Sequence, residues 1–207
     1  MKMSRLLLVP LVLTISAAAT AKDGNGYAVA SASQQAKVED LAVCYARGTD
    51  TLGSAVNAVI SNPADPEDPV NIGDPDFDAA LALYRACFSK NFSFTLAFDG
   101  VPVLTVPTPG SSPTDPALQW ANFVNNAFRG PGFRNTQHHM GSISSEINGK
   151  TAHMVSYLIA THAYANLSLG VRVVGGTYTD KVQREGGRWV IRQRTLNITS
   201  NIEIPQP

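Results

Sequence analysis

Two dipeptides, Asn148-Gly149 and Gly186-Gly187, constrain what this chain can fold into more than any other feature. Each sits between long runs in which bulky residues alternate with small or polar ones. Asn-Gly and Gly-Gly between such runs signal tight hairpins, because these turns need positive φ. The runs Thr136 to Ile147, Thr151 to Tyr164, Val171 to Arg184 and Arg188 to Ser200 therefore read as a four-stranded meander. A shorter alternating run, Phe92 to Phe98, ends at the turn pair Asp99-Gly100.

Upstream the apolar period changes from two to that of a helix. Val38, Leu41, Ala42 and Tyr45 share one face of a helix over 34–47, with Gly48 suited to its end. Phe77, Leu81, Tyr84 and Phe88 do the same over 77–89, and Leu118, Trp120, Phe123 and Val124 over 116–126, where Thr114 or Asp115 caps the start. Helices followed by long antiparallel strands predict an α+β domain: a cone-shaped, curved antiparallel sheet wrapped by about three N-terminal helices and enclosing a pocket. Between the first two helices, residues 53–78 hold four prolines and six acids with no Lys or Arg, and read as an acidic Pro-rich surface insertion. Its acid spacing lacks the alternation of a calcium loop.

The N-terminus carries Lys2 and Arg5, an apolar run from Leu6 to Ile15 and the small residues Ala19-Thr20-Ala21. This is the pattern of a cleaved signal peptide over 1–21, too short in its apolar part to remain as a membrane span. The expected organisation is then a flexible leader over 22–33, the domain over 34–200 and a tail over 201–207, in a periplasmic or secreted protein. The whole chain has 16 basic and 16 acidic residues. Cleavage leaves 14 against 16, which argues against nucleic acid as a partner. Export would put Cys44 and Cys87 in an oxidising compartment, where a pair can bridge. Two small buried apolar residues is the other reading.

Strand phase decides which side chains share a face. Along the run from Thr151, Ala152, Met154, Ser156, Leu158, Ala160 and His162 form one set, small and polar residues mixed with Met and Leu as in a ligand cavity. The other set, with Tyr157 and Ile159, fits packing against further structure. In the preceding run His138, Met140 and Ser142 share a phase opposite to His139. Regular pairing sets His138 beside the strand of His162, so two imidazoles face one cavity, with Met140 and Ser156 as candidates for substrate contact. A strand histidine taken alone is more often a satisfied structural residue, the reading that fits His139 and His153. Nothing here has the spacing of a metal site, and no metal or cofactor is expected.

The segment Thr136-Gln137-His138-His139-Met140-Gly141 resembles the Thr-Gln-His-x-x-Gly motif of scytalone-dehydratase-like proteins. Thr161-His162-Ala163-Tyr164 is similar to their second-histidine segment. Gly175-Gly176-Thr177-Tyr178-Thr179-Asp180, followed by Gly187-Arg188-Trp189, resembles the hairpin common in SnoaL-like members of the nuclear-transport-factor-2-like superfamily. Tyr45-Ala46 with Asp50 is similar to the Tyr-Ala-x-x-x-Asp at the end of the family's first helix. The resemblance implies His138 as catalytic base, Asp50 as the carboxylate that orients it and His162 as the group that assists departure of a hydroxyl. Arg184 falls near a position where a dehydrochlorinase of the family places an anion-stabilising Arg, and equally reads as a surface hairpin residue. Thr49 and Leu96 depart from the scytalone dehydratase pattern, which has tyrosines there, so scytalone itself is not the expected substrate. The implied function is a cofactor-independent lyase or isomerase acting on a small hydrophobic or cyclic molecule. The competing expectation is a non-catalytic periplasmic binding or interaction module, and either is compatible with a homo-oligomer formed through the open sheet face.

Overall fold

The computed structural model describes residues 31–206 of the chain. The expected signal peptide, residues 1–21, and the leader up to residue 30 lie outside the described residues. The first helix, α1 (Ala32–Gly53), is capped by Ser31, whose side chain accepts the Gln34 N–H. It runs past the expected end at Arg47 because Gly48 remains helical: a Cβ there would stand 3.0 Å from the Tyr84 ring, so this glycine serves close helix packing. That extension carries Asp50 to the sheet. The second helix, α2 (Pro75–Cys87), starts with proline after the Asp74 cap, and α3 (Pro116–Arg129) starts the same way after Asp115. A disulfide joins Cys44 of α1 to Cys87 of α2, with Cα atoms 6.2 Å apart.

Six strands form one sheet: β1 (Phe88–Phe98), β2 (Val101–Val106), β3 (Phe133–Asn148), β4 (Thr151–Tyr164), β5 (Val171–Glu185) and β6 (Arg188–Ile204). Their order is β2-β1-β6-β5-β4-β3. The sheet is curved, unclosed and mixed, since β1 lies parallel to β6 while every other pair is antiparallel. This corrects the all-antiparallel expectation: β1 leaves α2 in the direction of β6 and is separated from it in sequence by the whole meander. The β2 strand is an addition to the expected set. It contains Pro102, which a strand tolerates at the edge of a sheet, and it returns from β1 through Asp99 and Gly100, both at positive φ. The β3–β4 turn is displaced by one residue from the expected pair: Asn148 pairs with Thr151, and Gly149, at φ 59°, opens the loop. The last strand takes in residues 201–204 of the expected tail.

The phase of β4 is as the alternation predicts, with Met154, Ser156, Leu158, Ala160 and His162 buried. The opposite set is not packed against anything: Tyr157 and Ile159 are 57 % and 58 % exposed on the convex face. In β3 a bulge between Gly141 and Ser144, with Ser142 at φ 45°, changes the phase, so Ser142 is exposed and does not share the face of His138. Helical residues such as Val38, Leu52, Phe77, Leu81 and Trp120 close the core against the concave face. No described helix is long and apolar enough to cross a membrane.

Candidate functional site

Three elements meet where α1 ends on β3. Gly53 lets them touch, since a Cβ on it would fall 2.1 Å from the Thr136 hydroxyl oxygen. Arg129, at the end of α3, donates to the Leu52 and Gly53 carbonyls of α1 and to Phe133 O of β3. This satisfies carbonyls that a helix end leaves without partners and fixes three segments to one another.

Asp50 is thereby held against β3 by three donors. Its Oδ1 accepts the Thr136 hydroxyl at 3.1 Å and lies 2.7 Å from His138 Nδ1, while Oδ2 accepts the His138 backbone N–H at 3.0 Å. A carboxylate at Nδ1 places the proton on that nitrogen and leaves the Nε2 lone pair free. The His138 side chain is only 6 % exposed, whereas Asp50 is 31 % exposed at the outer side of the pair.

The His138 ring lines a cavity of about 270 Å³ on the concave face of the sheet, at the small end of ligand pockets. His162, on the neighbouring strand, faces the same space, with ring centroids 5.6 Å apart and planes at 87°. Phe128 and Phe133 pack on His162 at 5.4 and 5.1 Å. Burial, then the neighbouring His138 and Arg172, push the His162 pKa down to about 4. It is therefore a neutral imidazole at neutral pH, and its Nδ1 is buried without a partner among the described residues. Other walls are mostly apolar, from Phe94, Val124, Leu158, Val174, Leu196 and Ile198.

The polar groups that sequence reasoning missed are Arg172, Asn201 and a buried cluster beside the cavity. Arg172 sits over the Phe133 ring at 5.2 Å and pairs with Glu203. Tyr45 and Tyr178, both on the cavity wall, share a hydroxyl contact of 3.3 Å. Behind them the fully buried Arg194 makes two bonds of 2.7 and 2.6 Å to Asp180, and its guanidinium lies 4.1 and 4.5 Å from the two tyrosine rings. Burial raises both tyrosine pKa values, so these hydroxyls keep their protons as donors.

Of the residues expected at the site, Asp50, His138 and His162 are brought together and Met140, Ser156 and Arg184 do not join them. Met140 and Ser156 lie two and six residues further along their strands from the histidines, packed in the core side of the sheet rather than on the cavity wall. Arg184 is exposed at the far end of β5, its Nε donating to Gly187 O. It stands twelve residues, roughly 40 Å of extended strand, from Arg172. The hairpin-residue reading of Arg184 is the one that fits this placement. Residues 53–78 contribute nothing to the cavity wall; they lie instead on α3.

A curved sheet closed by three helices, with a His–Asp pair at the wall of an apolar cavity, defines a member of the nuclear-transport-factor-2-like superfamily. Residues 78–195, more than half the chain, match the SnoaL-like domain, and the chain belongs to that family. Among solved structures it is similar to a protein provisionally named a scytalone dehydratase from Novosphingobium aromaticivorans, with 17 % identity over 83 % of this chain and 88 % of that one and a TM-score of 0.53. It is also similar to a type 2 hexachlorocyclohexane dehydrochlorinase, LinA, at 12 % identity, 85 % and 91 % coverage and a TM-score of 0.56. The type 3 enzyme from Novosphingobium barchaimii gives 13 %, 84 %, 90 % and 0.53. At such identities the likeness establishes the fold. No curated protein sequence matches the chain.

Proposed function

We propose that this protein is a cofactor-independent lyase, of dehydratase or isomerase type, that acts on a small apolar or cyclic molecule in the His138–His162 cavity. The observation that carries this reading is the Asp50 carboxylate 2.7 Å from His138 Nδ1, which presents Nε2 as a base to a mostly apolar cavity. In an elimination, Nε2 takes the proton from a carbon next to an activating group, the carbon pair forms a double bond, and the C–O bond to the leaving hydroxyl breaks. The imidazolium so formed is stabilised by Asp50 and returns its proton to the departing hydroxide as water, which restores His138. With its pKa near 4, His162 is not the proton donor at neutral pH; its role is a hydrogen bond to the leaving oxygen. In an isomerisation the same imidazolium returns the proton to another carbon. Two structural relatives carry the names of a dehydrochlorinase and a dehydratase, both eliminating enzymes.

The test is a screen of small β-hydroxy carbonyl compounds for loss of water, repeated with Asp50→Asn and His138→Ala. A positioned base contributes about 10²–10⁴-fold, so each variant should lose turnover on that scale. Nitrogen-15 spectra should show Nδ1 protonated in the native protein and a mixture of tautomers in Asp50→Asn. Full turnover in either variant would remove the dyad from the mechanism. The same reading places the chain outside the cytoplasm, cleaved after Ala21, and has two copies associate through the convex sheet face, where Tyr157 and Ile159 are exposed.

A further inference from the structure

We propose that Arg172 selects the substrate of the His138–His162 cavity, and that the molecule taken there carries a carboxylate at the end away from its reacting carbon. The inference rests on the reading of this cavity as a reaction site and adds the charge of the substrate to it. Among the described residues lining the cavity, Arg172 alone carries a fixed charge. It is the register partner of His162 on β4 and of Glu203 on β6, so the three stand in one row across the sheet. The guanidinium is held from two sides. Its carbon lies 5.2 Å from the ring centroid of Phe133, a buried residue of the same wall. Its Nε donates to Glu203 Oε1, which also accepts the Tyr164 hydroxyl at 2.9 Å. These contacts fix the plane of the group and use one donor of the guanidinium fork. Nη1 and Nη2 make no hydrogen bond to a described residue, and with the side chain 32 % exposed they remain open to a ligand.

A wholly apolar molecule seated against Arg172 would strip water from these donors and give nothing back. A carboxylate gives back two parallel charge-assisted hydrogen bonds in the geometry of the fork, while its apolar body fills the space between Phe133, Val174 and Leu158. A phosphate dianion would bring a second charge onto a guanidinium that Glu203 already shares, so like-charge repulsion favours the monoanion. The strand of Arg172 lies two strands from that of His138, with β4 between them, a separation of about 10 Å. The carboxylate is therefore an anchor held away from Nε2. The carbonyl that activates the reacting carbon is a second group of the same molecule, because an ionised carboxylate does little to acidify the carbon beside it.

The experiment titrates the isotope-labelled protein at neutral pH with benzoate, with its neutral isostere benzamide and with phenyl phosphate, reading the Arg172 Nε–H resonance. None of the three probes can lose water, so the result does not depend on whether the dyad turns over any compound. Benzoate should shift the Arg172 signal saturably and bind about tenfold more tightly than benzamide. Arg172→Gln should lower benzoate affinity to that of benzamide and leave benzamide binding as it was. If Arg172→Gln does not fold, the native resonance decides: it should move with benzoate and stay still with benzamide. Equal affinity for benzoate and benzamide, tighter binding of phenyl phosphate than of benzoate, no saturable shift with benzoate at about 10 mM, or a carboxylate preference kept in Arg172→Gln would overturn the proposal.

Discussion

Asp50 and His138 stand 88 positions apart, and nothing in their spacing pairs them. They were legible through the segments around them, Tyr45-Ala46 and Thr136-Gln137, one of which supplies the third donor to the carboxylate, Thr136. Arg194 was not legible, because a charge in an alternating strand reads as an outward residue. Only the register of β5 with β6, which sets Asp180 opposite Arg194, shows that it is buried. The histidine beside His138 makes a testable demand on stability. The groups facing His162 are His138, Arg172, Asp50 and Glu203, and burial dominates in holding its pKa near 4 against an ordinary value of 6.5. Between those values the unfolded chain binds a proton that the folded chain does not, so stability falls as the pH drops through the window. From pH 7 to about 4.5 this amounts to about 2 kcal/mol. Urea unfolding at the two pH values should show that loss in the native chain and not in His162→Gln; parallel losses in both would place the pH dependence elsewhere.

Whole elements were read better than their ends and phases. The four meander strands and three helices follow from periodicity, but α1 is longer than expected because Gly48 is a packing residue, and the change of phase in β3 comes from a bulge that alternation does not announce. The β2 strand was hidden by Pro102, whose cost vanishes at a sheet edge. The disulfide needed the mutual placement of α1 and α2, which sequence alone does not fix. It closes a loop of 43 residues that contains the insertion. By chain entropy such a loop is worth up to about 4 kcal/mol, and native bridges typically contribute about 2–4 kcal/mol. The folded chain should contain no titratable thiol, and dithiothreitol should lower its urea stability by about 2–4 kcal/mol. A free thiol in the folded protein would be incompatible with the bridge.

At the scale of the molecule, the order of elements specified the class of fold, and inward phase in β4 specified where a cavity had to lie. What alternation left undecided was the fate of the opposite face, which was expected to be packed and is open. Tyr157 pairs with Gly141 and Thr177, and Ile159 with His139 and Gly175, so a glycine on one side of each leaves both side chains standing clear of the sheet. Val155 and Val173 extend the apolar strip, and no Asp, Glu, Lys or Arg is a register partner of Tyr157 or Ile159. Two copies related by a two-fold axis would each cover this strip with the same strip of the other, with no like charges brought together at its centre. The protein at micromolar concentration should accordingly sediment as a dimer, and Ile159→Lys, which sets two cations near that axis, should give a monomer with an unchanged circular dichroism spectrum. A native protein that sediments as a monomer at the same concentration would rule out self-association through this face.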